Sequence, residues 1–202
     1  MTPFTTFTAP AVPLDRANVD TDQIVPARFL RRPRSEGYDS FFFTDLKQEQ
    51  PDLPFNDPVY DTAGIIVADR NFGCGSSREQ AVWALTDSGF RCVLAPSFGD
   101  IFYNNAAKQG LLLVRVDADT AAGIRDALRA APGAAMTVDL EAQTFAAPGC
   151  PDGRFEIEPA IRRRLLLGLD EIGMTLEHEA EIAAFEQGYR DRFDWLFRAT
   201  GA

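Results

Sequence analysis

Histidine is almost absent from this chain of 202 residues, and cysteine is scarce. The one histidine, His178, lies between two glutamates in a late, helix-forming segment, so a mechanism based on histidine within this chain is not expected. The three cysteines, Cys74, Cys92 and Cys150, show no C-x-x-C spacing, which argues against a disulfide framework. Their spacing matches no iron–sulfur ligand run either, so we expect this chain to bind no metal.

Basic residues are in the minority as well. The chain has 20 Lys and Arg against 30 Asp and Glu, a net charge of −10. Such a protein is expected to avoid nucleic acid and anionic membranes. No apolar run reaches the ~18 residues that a membrane span requires, and the N-terminus lacks the basic start and apolar core of a secretory signal. The composition therefore predicts a cytoplasmic protein.

One stretch combines a strand, a glycine-containing turn and the start of a helix. Residues 65–67 are Ile-Ile-Val, a β-branched run typical of a buried strand. Gly73 and Gly75 permit a tight turn that approaches a ligand closely. Ser76 or Ser77 is expected to cap the following helix, with a Glu or Gln three residues on for a capping box.

A helix that begins at this turn would form an anion site, because its free N–H groups and the positive end of its dipole face the turn. Arg78 adds a planar fork of donors that suits a carboxylate or a phosphate. Three known loop types fit less well. A phosphate loop needs a lysine after Gly75, a dinucleotide fingerprint needs glycine at position 78, and a serine elbow needs glycine at position 79. On local pattern alone, an ordinary glycine-rich connection remains the alternative.

Two motifs carry a family resemblance. Residues 75–79, Gly-Ser-Ser-Arg-Glu, resemble the signature of the swivelling domain of aconitase-type hydro-lyases, and residues 19–30 resemble the family's second signature in its isopropylmalate isomerase branch. The motifs stand in the expected order, and the resemblance covers nearly the whole chain. The chain is thereby identified as a member of the 3-isopropylmalate dehydratase small-subunit family. Gln80 departs from the pattern, since the family usually has histidine there. Glutamine does not titrate near neutral pH, so this position is expected to be structural.

The resemblance implies a fold, an activity and a partner. The fold is α/β, a three-layer β/β/α swivelling domain of the aconitase type with C-terminal helices. The activity is isomerisation of 2-isopropylmalate and 3-isopropylmalate through a dehydrated intermediate, in leucine biosynthesis. The partner is a large subunit, in a heterodimer, whose [4Fe–4S] cluster acts as a Lewis acid; this chain binds no cofactor. A related hydro-lyase acting on homoaconitate or dimethylmalate, or a non-catalytic anion-binding module, remains an alternative.

The resemblance also implies roles for single residues. Ser76 is the base that removes the carbon-bound proton, and Asp22 orients a catalytic group. Ser77 and Arg78 bind the substrate, and Arg31 selects its side chain. Because an ordinary serine is a poor base, its alkoxide must be stabilised by preorganised donors in a water-poor site. The helix N-terminus, the glycine amides and Arg78 are the candidate donors.

An arginine cluster and a proline-containing segment lie between the two motifs. The cluster consists of Arg28, Arg31, Arg32 and Arg34. Residues 33–63 are predicted to be a long loop, mobile over about residues 31–57 and closing over the substrate as a lid. Three phenylalanines, residues 41–43, require burial, for instance against a partner. Before the cluster, Asp15 and Asn18 are expected to form self-bonded Asx turns.

Alternating strands and helices predict a parallel part followed by an antiparallel part. After the strand at 65–67, the predicted elements are helix 77–88, strand 91–95, helix 98–109, strand 111–116, helix 119–130, and strands 136–140 and 154–157. Residues 1–158 are predicted to form one domain and residues 159–202 a helical extension, packed on the domain or on the partner. In that extension, Ile161, Leu165, Leu169 and Ile172 form one apolar stripe that ends at Gly173.

Overall fold

A mixed β-sheet organises residues 1–168. The structure is a computed structural model that describes residues 1–76 and 78–197. In this described part of the chain the sheet has seven strands, in the spatial order β4-β3-β2-β1-β5-β6-β7. The strands are β1 (Thr6–Leu14), β2 (Ile65–Ala68), β3 (Cys92–Ala95), β4 (Leu112–Arg115), β5 (Ala135–Asp139), β6 (Thr144–Ala146) and β7 (Gly153–Arg154).

Strand β1 joins the two halves of the sheet. Its second half, residues 11–14, pairs in parallel with β2, whereas its first half, residues 6–10, pairs antiparallel with β5. Strands β2, β3 and β4 continue the parallel half, and β6 and β7 continue the antiparallel half. The predicted change from parallel to antiparallel pairing is therefore confirmed, although β6 was not predicted.

Helices connect the parallel strands. These are α1 (Thr21–Ile24), α2 (Thr44–Glu49), α3 (Glu79–Asp87) and α4 (Asp100–Lys108), whereas α5 (Ala118–Ala130) leads to the antiparallel half and α6 (Pro159–Leu167) follows β7. The predicted helices after β2, β3 and β4 are present, each with bounds within two residues of the prediction.

The sheet separates two apolar cores. Successive residues of β2, such as Ile65 and Ile66, point to opposite faces, because side chains alternate along a strand. One core includes residues of α3, α4 and the segment 33–63. The other packs the parallel strands against Ile124 of α5 and against Met136 and Phe145 of the antiparallel strands. Helix α5 and the antiparallel strands thus share one core with the parallel strands, which gives a mixed α/β fold of the class that the resemblance implied.

The segment 33–63 is more regular than predicted. It contains α2 and short 3-10 turns at Arg34–Glu36, Asp39–Phe41, Pro54–Asn56 and Pro58–Tyr60. Tyr38, Phe42 and Phe43 are buried in the first core, and the ring of Phe41 stacks on that of Phe29 at 4.3 Å between centroids. The prediction of a long loop is therefore wrong, because the prolines at positions 54 and 58 start 3-10 turns. The three phenylalanines at 41–43 therefore pack against other residues of this chain.

Asp15 does not form the expected Asx turn. Its Oδ1 accepts a hydrogen bond from Nε of Arg125 at 2.7 Å, and the buried Arg125 donates from Nη1 to the carbonyl oxygen of Ala68 at 2.8 Å. The Asx turn expected at Asn18 is also absent, since its side-chain oxygen accepts from Nδ2 of Asn71 at 2.8 Å. Partners 110 and 53 positions away take the place of local ones.

The chain divides into two units, Met1–Gly168 and Leu169–Ala202. Gly168 adopts a left-handed conformation, φ 65°, and ends α6, so the predicted stripe is interrupted there rather than at Gly173. The second unit contains α7 (Glu171–Leu176), α8 (Glu179–Arg192) and a 3-10 turn at Asp194–Leu196, none with a buried residue. Within the described residues, no helix is long and apolar enough to cross a membrane.

Candidate active site

Two loops meet where parallel strands β1 and β2 end. Residues 15–20 follow β1 and residues 69–76 follow β2, and a short parallel bridge joins Asp20 to Cys74. In α/β sheets, ligands bind in the crevice outside the carboxyl ends of the strands. The topology therefore brings the two sequence motifs together at the kind of sheet edge that binds ligands.

Backbone hydrogen bonds join the two loops. The N–H of Thr21 donates to the carbonyl of Cys74 at 2.9 Å, and the N–H of Gly73 donates to that of Val19 at 2.8 Å. Thr21 is 1% exposed, and its hydroxyl donates to the carbonyl oxygen of Ser76 at 3.0 Å. These bonds set the position of Ser76 relative to the first motif.

Both predicted turn glycines have positive φ angles. Gly75 has φ 91°, and a Cβ there would lie 2.7 Å from Cγ of Asp20. Gly73 has φ 72°, and a Cβ there would overlap the ring of Phe102. The turn therefore requires glycine both for its backbone conformation and for the close approach of its neighbours.

The predicted serine cap is wrong. Helix α3 begins at Glu79, with Arg78 as its N-cap residue and no side-chain capping bond. Ser76 is exposed, and its hydroxyl makes no hydrogen bond with the described part of the chain. Ser77, assigned to substrate binding by the motif, lies outside the described residues. Since Ser76 does not cap the helix, its hydroxyl is available for chemistry.

The capping box is found instead at α1. The side chain of Asp20 accepts from the N–H of Asp22 at 2.7 Å, and Oε1 of Gln23 accepts from the N–H of Asp20 at 3.1 Å. The spacing Asp-x-x-Gln is a sequence signal for this cap, and it was missed because both residues belong to a motif interpreted for its chemistry.

Arg78 and Asp22 form an ion pair between the two motifs. Nη1 of Arg78 contacts Oδ1 of Asp22, and the arginine side chain is 15% exposed against 50% for the aspartate. The other donors of this guanidinium make no hydrogen bond within the described chain. Asp22 thus orients a nearly buried cation that keeps donors for an anionic ligand.

The arginine cluster divides into paired and unpaired members. Three of its guanidinium groups have acidic partners: Arg28 with Asp45, Arg32 with Glu36 and Arg34 with Asp87. The exposed Arg31 makes no hydrogen bond or ion pair with residues that the structure describes. Its neighbour Leu30 accepts a hydrogen bond at its carbonyl from Nε2 of Gln80, at 3.4 Å, so this backbone lies against the first turn of α3. Arg31 is therefore the member of the cluster that is available to a ligand.

The candidate residues are not enclosed by this chain. A cavity of 1210 Å³ is lined by residues 13–17, 49–54, 56, 57 and 60 and by Arg129 and Pro132, and by none of the candidate residues. Ser76 and Arg31 are exposed and Asp22 is half exposed. Water would be excluded from a ligand here only if a further surface covered it.

The donor set of this chain does not fit an iron–sulfur cluster. Among the described residues no three His, Cys, Asp or Glu side chains are grouped to hold a metal ion. Cys92 is buried in β3, where desolvation raises the pKa of its thiol well above the ordinary value. Burial, followed by the charge of Asp20, also raises the pKa of Cys74. Both thiols are thus disfavoured as thiolate ligands.

Comparisons with known proteins agree along the chain. The family model of the aconitase C-terminal domain matches residues 1–119, and the model of the C-terminal domain of the 3-isopropylmalate dehydratase small subunit matches residues 171–199. The 3-isopropylmalate dehydratase small subunit of Acidobacterium capsulatum is 45% identical over 196 residues, covering 97% of this chain and 94% of that protein. Its counterpart from Gluconacetobacter diazotrophicus is 46% identical over 203 residues, covering 98% of each chain.

A solved structure shows the same fold. The crystal structure of a 3-isopropylmalate dehydratase (leuD) from Methanocaldococcus jannaschii is similar with a TM-score of 0.66 and 26% sequence identity. The similarity covers 89% of this chain and 98% of that one.

Proposed function

Because the chain belongs to the 3-isopropylmalate dehydratase small-subunit family, we propose that it completes the active site of a heterodimeric hydro-lyase. With its large subunit, this enzyme interconverts 2-isopropylmalate and 3-isopropylmalate through a dehydrated intermediate in leucine biosynthesis. The observation that carries the proposal is the meeting of the two motifs. It brings Ser76, whose hydroxyl does not cap helix α3, close in the chain to the Arg78–Asp22 pair. The openness of this surface supports a site that is covered by the large subunit.

Ser76 is the proposed base for the carbon-bound proton. Its hydroxyl has no hydrogen-bond partner in the described chain, and its carbonyl is held by Thr21. The N-terminus of α3 begins three residues later, at Glu79, so the positive end of the helix dipole favours an alkoxide nearby. Exclusion of water by the large subunit would strengthen these interactions, because electrostatic stabilisation increases in a low-dielectric site.

The substrate is a dicarboxylate, and arginine is the side chain that matches a carboxylate with two parallel hydrogen bonds. We assign one carboxylate to Arg78, oriented by Asp22, with Ser77 as a further donor. Arg31 then lies at the substrate's variable side chain and selects it. Homoaconitate and dimethylmalate remain alternative substrate types, because the shape of the pocket depends on the segment after Arg31 and on the partner as well.

The [4Fe–4S] cluster is proposed for the large subunit, since the thiols of this chain do not fit it. When bound, the cluster would supply Lewis-acid chemistry at the hydroxyl group that leaves. The acidic net charge of −10 makes the local arginines the groups that attract the dicarboxylate. We also propose a cytoplasmic location, where free thiols such as the buried Cys92 persist.

The C-terminal helices are proposed to pack on the domain or on the large subunit. The second unit, Leu169–Ala202, has 34 positions and its helices α7 and α8 contain no buried residue. Below about 40 residues a chain rarely buries enough surface to be stable alone. Phe185 and Trp195, which are 70% and 65% exposed, are the kind of side chains that such packing would cover.

The experiment is reconstitution. The chain and its large subunit are co-expressed, purified without oxygen and assayed with isopropylmalate, homoaconitate and dimethylmalate, and iron and sulfide are measured for each separated subunit. We expect turnover of isopropylmalate only by the complex and a cluster only on the large subunit. A stoichiometric cluster on the isolated small subunit would contradict the division of roles. Binding of a dicarboxylate without turnover by any complex would favour the anion-binding module.

A further inference from the structure

Tyr38 shares its one hydroxyl proton between two backbone carbonyls, which lie on either side of Arg31. Its hydroxyl lies 2.8 Å from the carbonyl oxygen of Arg32 and 3.3 Å from that of Phe29, and the residue is fully buried. Burial raises the pKa of the Tyr38 hydroxyl above its ordinary value, so the group keeps its proton and acts as a donor. A single buried hydroxyl thus holds the turn that carries Arg31.

One face of helix α3 holds Tyr38 and the same turn. Residues at i, i+3 and i+7 of a helix share a face. On this face Gln80 donates to the carbonyl of Leu30 at 3.4 Å, Trp83 packs edge-on against the ring of Tyr38 at 5.4 Å, and Asp87 accepts from the N–H of Tyr38 at 3.2 Å. Asp87 also pairs with Arg34 at 3.0 Å. These contacts therefore fix the position of the turn relative to helix α3, which begins soon after Ser76.

We propose that Tyr38 is a positioning residue for substrate selection, which holds the backbone on either side of Arg31 so that its unpaired guanidinium meets the substrate's side chain. Gln80 is the second anchor, at Leu30. The proposal rests on the role of Arg31 proposed above. Its physical basis is that the Arg31 side chain makes no hydrogen bond or ion pair with the described chain, so its position depends on its backbone.

The test is Tyr38→Phe in the reconstituted complex. The variant keeps the buried ring and removes one hydroxyl. The readout is the ratio of kcat/KM for 3-isopropylmalate to that for 3-methylmalate, which carries a smaller side chain. We expect this ratio to fall by about three- to tenfold, the effect of losing one neutral hydrogen bond, with KM rising more than kcat falls.

The matched control is Tyr60→Phe. Tyr60 lies in the same segment and is half buried, and its hydroxyl makes no hydrogen bond within the described chain. We expect the ratio to stay unchanged in this variant. An equal fall in both variants would show that loss of packing or stability, and not the bonds of Tyr38, moves the ratio.

A double-mutant cycle tests whether Tyr38 acts through Arg31. In an Arg31→Ala background, Tyr38→Phe is expected to lower the ratio no further, because coupled residues are not additive. Equal effects of Tyr38→Phe in both backgrounds would overturn the inference while leaving Arg31 as a selecting residue. No effect of Arg31→Ala alone would instead refute the proposed role of Arg31. If Tyr38→Phe does not yield a folded complex, Gln80→Leu takes its place in the same cycle, with the same outcomes.

Discussion

Thr21 and Ser76 are 55 positions apart, and the hydroxyl of Thr21 donates a hydrogen bond to the carbonyl oxygen of Ser76 at 3.0 Å. Thr21 opens helix α1 and belongs to the first motif, whereas Ser76 lies in the turn of the second. The bond makes the orientation of the Ser76 peptide depend on the first motif. It links the two motifs directly at the candidate site.

Thr21→Val removes this bond while keeping the shape of the side chain. We expect a loss of about 1 kcal/mol in the free energy of unfolding and a fall in kcat of about tenfold, since a small displacement of a base is costly. Thr21→Ser retains the hydroxyl and is expected to keep most of kcat. Equal losses of kcat in Thr21→Val and Thr21→Ser would indicate that the methyl group, not the bond, matters. Denaturant unfolding and steady-state kinetics provide the two measurements.

Ser76→Ala tests the base directly. Because Ser76 is exposed and does not cap α3, the change in unfolding free energy is expected to stay within about 0.5 kcal/mol. Loss of a positioned base lowers the rate by about 10²–10⁴-fold, and we expect kcat of the complex to fall in this range. Ser77→Ala is measured alongside. Near-normal turnover in Ser76→Ala would remove the assignment, and a larger fall in Ser77→Ala would move the base by one position.

Arg31→Ala is expected to change substrate preference more than stability. Loss of the contact is expected to lower kcat/KM for isopropylmalate, by an amount that corresponds to about 1.5–3 kcal/mol of transition-state stabilisation. Truncation of an exposed arginine, in contrast, changes the free energy of unfolding by less than about 0.5 kcal/mol. Arg32→Ala is the matched control, since it removes the same charge at the next position and breaks only an exposed pair with Glu36. Identical kinetics of the two variants would make Arg31 an ordinary surface residue.

Gly75→Ala is expected to damage the site and the stability of the chain together. The added Cβ would collide with the carboxylate of Asp20, and φ 91° is unfavourable for alanine. We expect a loss of at least about 1–3 kcal/mol. Gly123→Ala is the control, because a Cβ within helix α5 meets no atom within 4 Å. It should stabilise the chain by up to about 1 kcal/mol. A neutral effect at Gly75 in thermal unfolding would show that the turn can rearrange.

Hydrogen exchange distinguishes the ordered part of residues 33–63 from the part that remains a candidate lid. The N–H of the buried Phe43 donates to the carbonyl of Ile24 at 2.9 Å, and that of Lys47 donates to Phe43 at 2.8 Å. We expect slow exchange at both amides in the isolated chain and fast exchange in the exposed turn Arg34–Glu36. Fast exchange at Phe43 would support the wider mobility, over about residues 31–57, that the prolines suggested.

Some local features of the sequence were sufficient to predict the elements. The β-branched run at 65–67, the glycines at 73 and 75 and the alternation of strands and helices over residues 65–130 appear as predicted, since periodicity and turn chemistry act within a few residues. The end of α6 differs from the prediction. The apolar stripe continues past Gly168 in the sequence, but the left-handed conformation of Gly168 ends the helix. An apolar spacing by itself does not reveal such a stop.

The sequence by itself determined the family, the α/β class and which residues are candidates for chemistry, because motifs and periodicity are local. The tertiary structure decided how those candidates are used. It paired Asp22 with Arg78, left Arg31 without a partner in the described chain, gave the capping box to Asp20 rather than to Ser76, and joined Asp15 to Arg125. Except for the capping box, whose spacing was visible, these outcomes depend on residues tens of positions apart. Such contacts form only when the strands pair and bring their ends together.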